Sequence, residues 1–88
     1  MVRIPLSPEQ VEAGRRLGAV LRAARAGRDP EIVARDARIS PETLRKIEVG
    51  RIASPSLGTV LQICAALGLP VSDAVDAWQG DREHRVAI

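Results

Sequence analysis

An all-α fold of five short helices is predicted by three features of the sequence. Every hydrophobic period recurs at helical spacing, and no run alternates strictly as a half-buried strand would. Five Ser or Asp residues stand where a helix cap is needed (7, 29, 40, 56 and 72), and three of them are followed directly by proline. Tyr and Phe, two residues that favour strands, are absent.

The elements follow in order. Ser7-Pro8-Glu9-Gln10 opens the first helix: Ser7 caps it, Pro8 suits its first turn and Gln10 completes a capping box. Leu17, Val20, Leu21 and Ala24 then recur at i, i+3, i+4 and i+7, which sets the expected buried face. Gly14 and Gly18 each weaken that helix by about 1 kcal/mol relative to alanine, implying a close neighbour on their side. Gly27 is expected to end it. Asp29-Pro30-Glu31 restarts a helix by the same logic, with Val33 and Ala37 inward. Ser40-Pro41-Glu42 restarts the chain again, with Leu44 and Ile47 inward and Gly50 as the stop. "GRIASPS" is a loop. Ser56 caps a fourth helix whose expected buried face is Leu57, Val60, Leu61, Cys64 and Leu67, ending at Gly68. Pro70 separates a fifth helix, capped by Ser72, with Val75 and Trp78 toward the core and Gly80 as its stop. The expected organisation is an N-terminal arm (1–6), one compact domain (7–80) and a flexible tail (81–88).

Composition narrows the function. Eighty-eight residues make one small domain, which buries only about 60 to 65% of its unfolded surface. Cys64 is the sole cysteine, which rules out an intramolecular disulfide and a cysteine-built metal site and fits a reducing cytoplasm. Cys64 belongs to the apolar stripe, and His84 stands alone in the tail. With one His, one Cys and no Tyr, no nucleophile–base pair or metal cluster is expected, so neither enzyme chemistry nor a cofactor is. No stretch approaches the roughly 20 apolar residues that span a bilayer, and the first residues do not read as a signal peptide. No membrane association and no small-molecule substrate are expected.

Charge is unevenly spread. Residues 13–51 hold ten cations and five anions, a net +5, while the remainder holds three cations and six anions, a net −3. A basic half of this kind suits a polyanion, though a solvated Arg-rich helical surface has the same composition. The spacing of the caps is more telling. Asp29 and Ser40 lie only eleven residues apart, so two short helices must turn one sharp corner. Positions 33, 37, 39, 44 and 47 supply its apolar inner angle, and Ala34 is small where the helices cross. The pattern is helix-turn-helix geometry over about residues 30–49, with the second helix standing out from the body.

The chain also resembles the Cro and phage lambda repressor type of helix-turn-helix, the XRE type. The resemblance runs through "LGAVLRAAR" (17–25), "VARDARISPETLRKIEVGR" (33–51) and "PSLGTVLQICAALGL" (55–69), most specifically in Ile39-Ser40, Ile47-Glu48-x-Gly50, Pro55-Ser56-Leu57 and Ala66-Leu67-Gly68. It implies a five-helix domain that binds double-stranded DNA as a homodimer, a bacterial transcriptional regulator, with a repressor as the expected role, at the nucleoid in the cytoplasm. Helix 41–49 would be the recognition helix in the major groove. Lys46 would donate to guanine O6 or N7, Glu42 would accept from cytosine N4, and Thr43 would touch a thymine methyl or a phosphate. Arg45, Arg51, Ser54, Ser56, Ser40, Arg35 and Arg38 are the candidates for the DNA backbone, with Arg25 and Arg28 further out. The resemblance pairs Glu48 with an arginine of the first helix, Arg25 or Arg22, as an internal clamp.

Four departures from the family pattern bear on DNA reading. Pro30 replaces a phosphate-touching Gln, and Arg38 replaces the Gly of the turn, forcing a strained backbone or an altered corner. The link between the first two helices is about two residues short. Pro41 removes a side-chain donor from a base-facing position. Pro30, Pro41 and Glu42 favour the alternative of a protein–protein interaction module on the same fold. An antitoxin-like autorepressor is the third reading, against which the short tail speaks.

Overall fold

A computed structural model describes residues 6–80, with five helices and no strand among them. The tail 81–88 with His84, and the arm apart from Leu6, lie outside the described residues. The helices are α1 (Pro8–Arg25), α2 (Pro30–Ala37), α3 (Pro41–Glu48), α4 (Leu57–Leu67) and α5 (Val71–Gln79). α1 packs against α5 and α3, α2 packs against α4 and meets α3 at the corner, and α5 closes on α1 and α4.

The caps set the starts. The Ser7 hydroxyl accepts from the Gln10 amide at 3.1 Å while the Gln10 side chain accepts from the Ser7 amide at 3.0 Å, the reciprocal box expected there. Asp29, Ser40 and Ser56 cap α2, α3 and α4 as read. α5 does not follow the expectation. It begins at Val71 behind Pro70 with no side-chain cap, and Ser72 is an exposed first-turn residue.

Three helix ends share one device. In α2, α3 and α4 the chain turns through a left-handed residue, Arg38, Gly50 or Gly68, and the next amide donates five residues back. These bonds are Ile39 to Ala34 O at 2.9 Å, Arg51 to Lys46 O at 2.8 Å and Leu69 to Cys64 O at 3.0 Å. Arg38 therefore takes the strained option (φ 62°) and keeps the corner unaltered. Gly27 does not end α1. The helix stops at Arg25 and Ala26 carries the positive φ of 54° instead, because the short link reverses direction one residue early.

The core holds Leu17, Leu21, Val33, Ala34, Ala37, Leu44, Ile47, Ile63, Cys64 and Ala74. The inner angle of the corner is as expected. Gly14 and Gly18 are also explained: an added methyl would strike the backbone of Ala53 at Gly14 and the carbonyls of Ile47 and Glu48 at Gly18. Three buried faces are rotated from expectation. α1 buries Ala13 and its glycines beside Leu17 and Leu21, while Val20 and Ala24 are half-buried. α4 buries Ile63 and Cys64 and leaves Leu57 and Leu61 exposed; α5 buries Ala74, leaving Val75 exposed and Trp78 half-buried. In α4 the reason is saturation. Apolar residues surround most of that helix, so its period selects no face and packing against α2 makes the choice.

Candidate nucleic-acid interface

α3 presents two different faces. Leu44 and Ile47 are fully buried and Glu48 is nearly so, which fixes how the helix rolls on the body. Glu42 and Arg45 are exposed, Lys46 and Thr43 are half-buried, and Pro41 and Val49 complete the outer surface. Lys46 Nζ lies 3.5 Å from the Glu42 carboxylate, one turn away. The pairing open to Arg45 at i+3 is thus taken by Lys46 at i+4. Such an exposed pair is worth little and can part for a better partner.

The roll of α3 is locked from behind. Arg25 Nε donates to one Glu48 carboxylate oxygen at 2.7 Å and its NH2 donates to the other at 3.0 Å, a two-pronged bond between mostly buried groups. The Glu48 hydrogen bond raises the Arg25 pKa above its already high ordinary value, so that the clamp stays charged. This is the internal pair expected, with Arg25 as the arginine and Arg22 left exposed.

Not all of the basic half is free for a polyanion. Arg25 also donates to Arg28 O, and Arg28 donates to Leu67 O at 3.0 Å, closing the end of α4. Arg25 and Arg28 thus also serve the fold, Arg25 through Glu48 and Arg28 through a carbonyl of α4. Arg16, half-buried, likewise donates to Ala77 O at 2.8 Å and Trp78 O at 3.0 Å at the end of α5. Cations near helix C-termini satisfy carbonyls that lack helical partners. Neither Arg16 nor Arg28 was legible in this role, since the carbonyls they serve lie 62 and 39 residues away at most.

The remaining candidates surround α3. Arg35 and Arg38 are exposed at the end of α2, and Arg51 is exposed directly after α3 with its amide anchored to Lys46 O. Ser54 is exposed in the following loop, on the rim of a groove between α4 and α5. Ser40 and Ser56 form matching pairs. Each hydroxyl accepts from the amide three residues on and donates to that residue's hydroxyl, at 2.8 Å to Thr43 and 2.9 Å to Thr59. The Ser-x-x-Thr spacing repeats at both helix starts, so Thr59 stands to Ser56 as Thr43 stands to Ser40. At the start of α2, Asp29 accepts from the Glu31 amide at 2.9 Å and Pro30 offers no N–H, so this helix end is already occupied by a carboxylate. Cys64 is buried, and desolvation followed by the nearby Asp73 charge holds its thiol above the ordinary range, consistent with a plain core residue. Among the described residues no His, Cys, Asp and Glu cluster could hold a metal ion, and no helix is long and apolar enough to cross a membrane.

A small α-helical body displaying one short helix at a sharp corner is a helix-turn-helix module. The family model described as "Helix-turn-helix domain" matches residues 16–78, and the chain belongs to that family. Among solved structures the chain is similar to the clp gene regulator ClgR from Corynebacterium glutamicum, in two crystal structures. The first is 33% identical, covers 88% of this chain and 94% of its own, and superposes with a TM-score of 0.69. The second is 32% identical, with coverages of 94% and 83% and a TM-score of 0.70. Comparison with curated proteins gave no match.

Proposed function

We propose that this chain is a DNA-binding transcriptional regulator, a repressor, that sets α3 in the major groove of its operator. One observation carries the reading: α3 buries Leu44, Ile47 and Glu48 and turns Glu42, Arg45 and Lys46 outward on a helix clamped from behind. Membership of the helix-turn-helix family and likeness to a gene regulator support it. Lys46 and Glu42 read base edges, parting from each other to do so, and Thr43 contacts a thymine methyl or a phosphate. Arg45, Arg51, Arg35 and Arg38 hold the backbone, aided by Ser54 and by the hydroxyl pairs of Ser40 and Ser56. Two copies act as a homodimer on half-sites about 34 Å apart, one turn of DNA. The setting is the bacterial cytoplasm at the nucleoid.

The test is fluorescence anisotropy on DNA from the protein's own promoter. Lys46→Ala is expected to cost about 1 to 3 kcal/mol and to relax preference at one base pair, whereas Arg45→Ala weakens all sequences alike. Unchanged binding in both variants, or no binding tighter than about 10 μM at low salt, refutes the reading, since even non-specific binding is stronger in that range. A protein-binding role for the same surface has one specific observation in its favour. Asp29, Glu31 and Glu42 stand exposed beside Pro30, Pro41 and Ile32, a mixed acidic and apolar edge that phosphates do not reward.

A further inference from the structure

We propose that Trp78 of α5 is a positioning residue for DNA binding: its indole holds the loop after α3 so that Arg51 and Ser54 meet the phosphates. This rests on the regulator reading for its ligand and adds the device that aims the loop. The path of the loop shows the need. Arg51 is exposed, Ile52 half-buried, Ala53 buried and Ser54 exposed again, so the chain dips to the body at Ala53 and leaves it at once. The two outward residues flank that dip. Where Ala53 turns inward its peptide gives up water, and the fold must supply a partner.

α5 and α1 supply the seat. The Trp78 indole N–H, which can only donate, does so to Ala53 O at 3.2 Å across 25 residues of sequence. Gly14 of α1 lies so near that a methyl there would strike the Ala53 backbone. Trp78 is itself held, since Arg16 of α1 donates to the Trp78 carbonyl at 3.0 Å and to that of Ala77 at 2.8 Å. The start of the loop is tied to α3, where the amides of Arg51 and Ile52 both donate to Lys46 O, at 2.8 and 3.3 Å. The loop is thus anchored by α3 where it begins and by α5 at its middle. A loop ordered beforehand does not lose that freedom on binding, so the anchor raises affinity. Phosphate contacts carry no sequence information, so base preference is left alone. Trp78 acts through Arg51 and Ser54.

Trp78→Phe keeps an aromatic ring and removes the N–H, and it is read in two arms on the full chain. Without DNA, amide hydrogen exchange at Arg51 and Ile52 should quicken about fivefold relative to Leu69, whose amide closes the end of α4 as that of Arg51 closes α3. With promoter DNA, affinity should fall about fivefold while base preference stays as it was. Arg51→Ala should then cost less in this variant than in wild type, whereas Arg35→Ala on α2 should cost the same in both. Should Trp78→Phe unfold, β-(3-benzothienyl)alanine at position 78, which exchanges only the N–H for sulfur, takes its place in both arms. Loop amides that exchange no faster relative to Leu69, or full additivity of the changes at Trp78 and Arg51, overturn the proposal and leave the regulator reading standing if wild type binds DNA. A wild type that binds no promoter DNA sinks the regulator reading, and faster loop exchange in the variant then still upholds the grip of Trp78 on the loop.

Discussion

Ala26 and Arg38 are the non-glycine residues with positive φ among those described, at 54° and 62°. An L-residue held there costs on the order of 1 to 2 kcal/mol, partly offset by the larger unfolded-state entropy of glycine. Ala26→Gly and Arg38→Gly should each stabilise the fold by about 1 kcal/mol, read as a higher Tm in thermal melts. The two then separate. Arg38→Gly removes an exposed cation next to α3 and, on the proposed function, should weaken DNA binding, whereas Ala26→Gly should leave it unchanged. Arg38 was legible as a strained position because the family's turn has glycine there. Ala26 was not, because a real glycine stands next to it at Gly27 and drew the expected helix end one residue too far.

At the scale of elements, the position of α3 depends on a bond that touches no ligand. Removing one member of a largely buried ion pair leaves the other charge uncompensated, so Glu48→Ala should cost about 3 kcal/mol in denaturant unfolding. It should also lower DNA affinity, because α3 loses its lock. Replacing Arg25 and Glu48 together by Leu and Met should recover much of the stability, which separates the clamp from generic loss of packing. The corner of α2 and α3 was legible in full, since caps and inward residues both followed local rules. The outer helices were less so. The stripe chosen for α4 included Leu57 and Leu61, yet Ile63 is the residue completely buried, a distinction that only the contact with α2 makes. The arginine bonds at the ends of α4 and α5 join residues far apart in sequence, where periodicity is silent.

For the whole molecule, the net +5 of residues 13–51 counts charge and not free donors, since Arg16, Arg25 and Arg28 stay charged while donating to carbonyls and to Glu48. If Arg35, Arg38, Arg45 and Arg51 are the backbone cations, the plot of log K against log salt should fall with a slope of about −4 per protomer. Each alanine replacement among them should reduce the slope by about one. Arg28→Ala should lower Tm and leave the slope as it was. A slope near zero would mean that the exposed basic residues meet no phosphates.

The division of α3 into a locked rear and an unencumbered front has an evolutionary consequence. The side chains of Leu44, Ile47 and Glu48 hold the helix to its scaffold, and among the described residues those of Glu42, Arg45 and Lys46 bond to nothing in that scaffold beyond their own turn of helix. Folding and address are written in separate letters. On the proposed function, a lineage can rewrite which operator it visits, one outward residue at a time, without first having to rescue the protein that makes the visit.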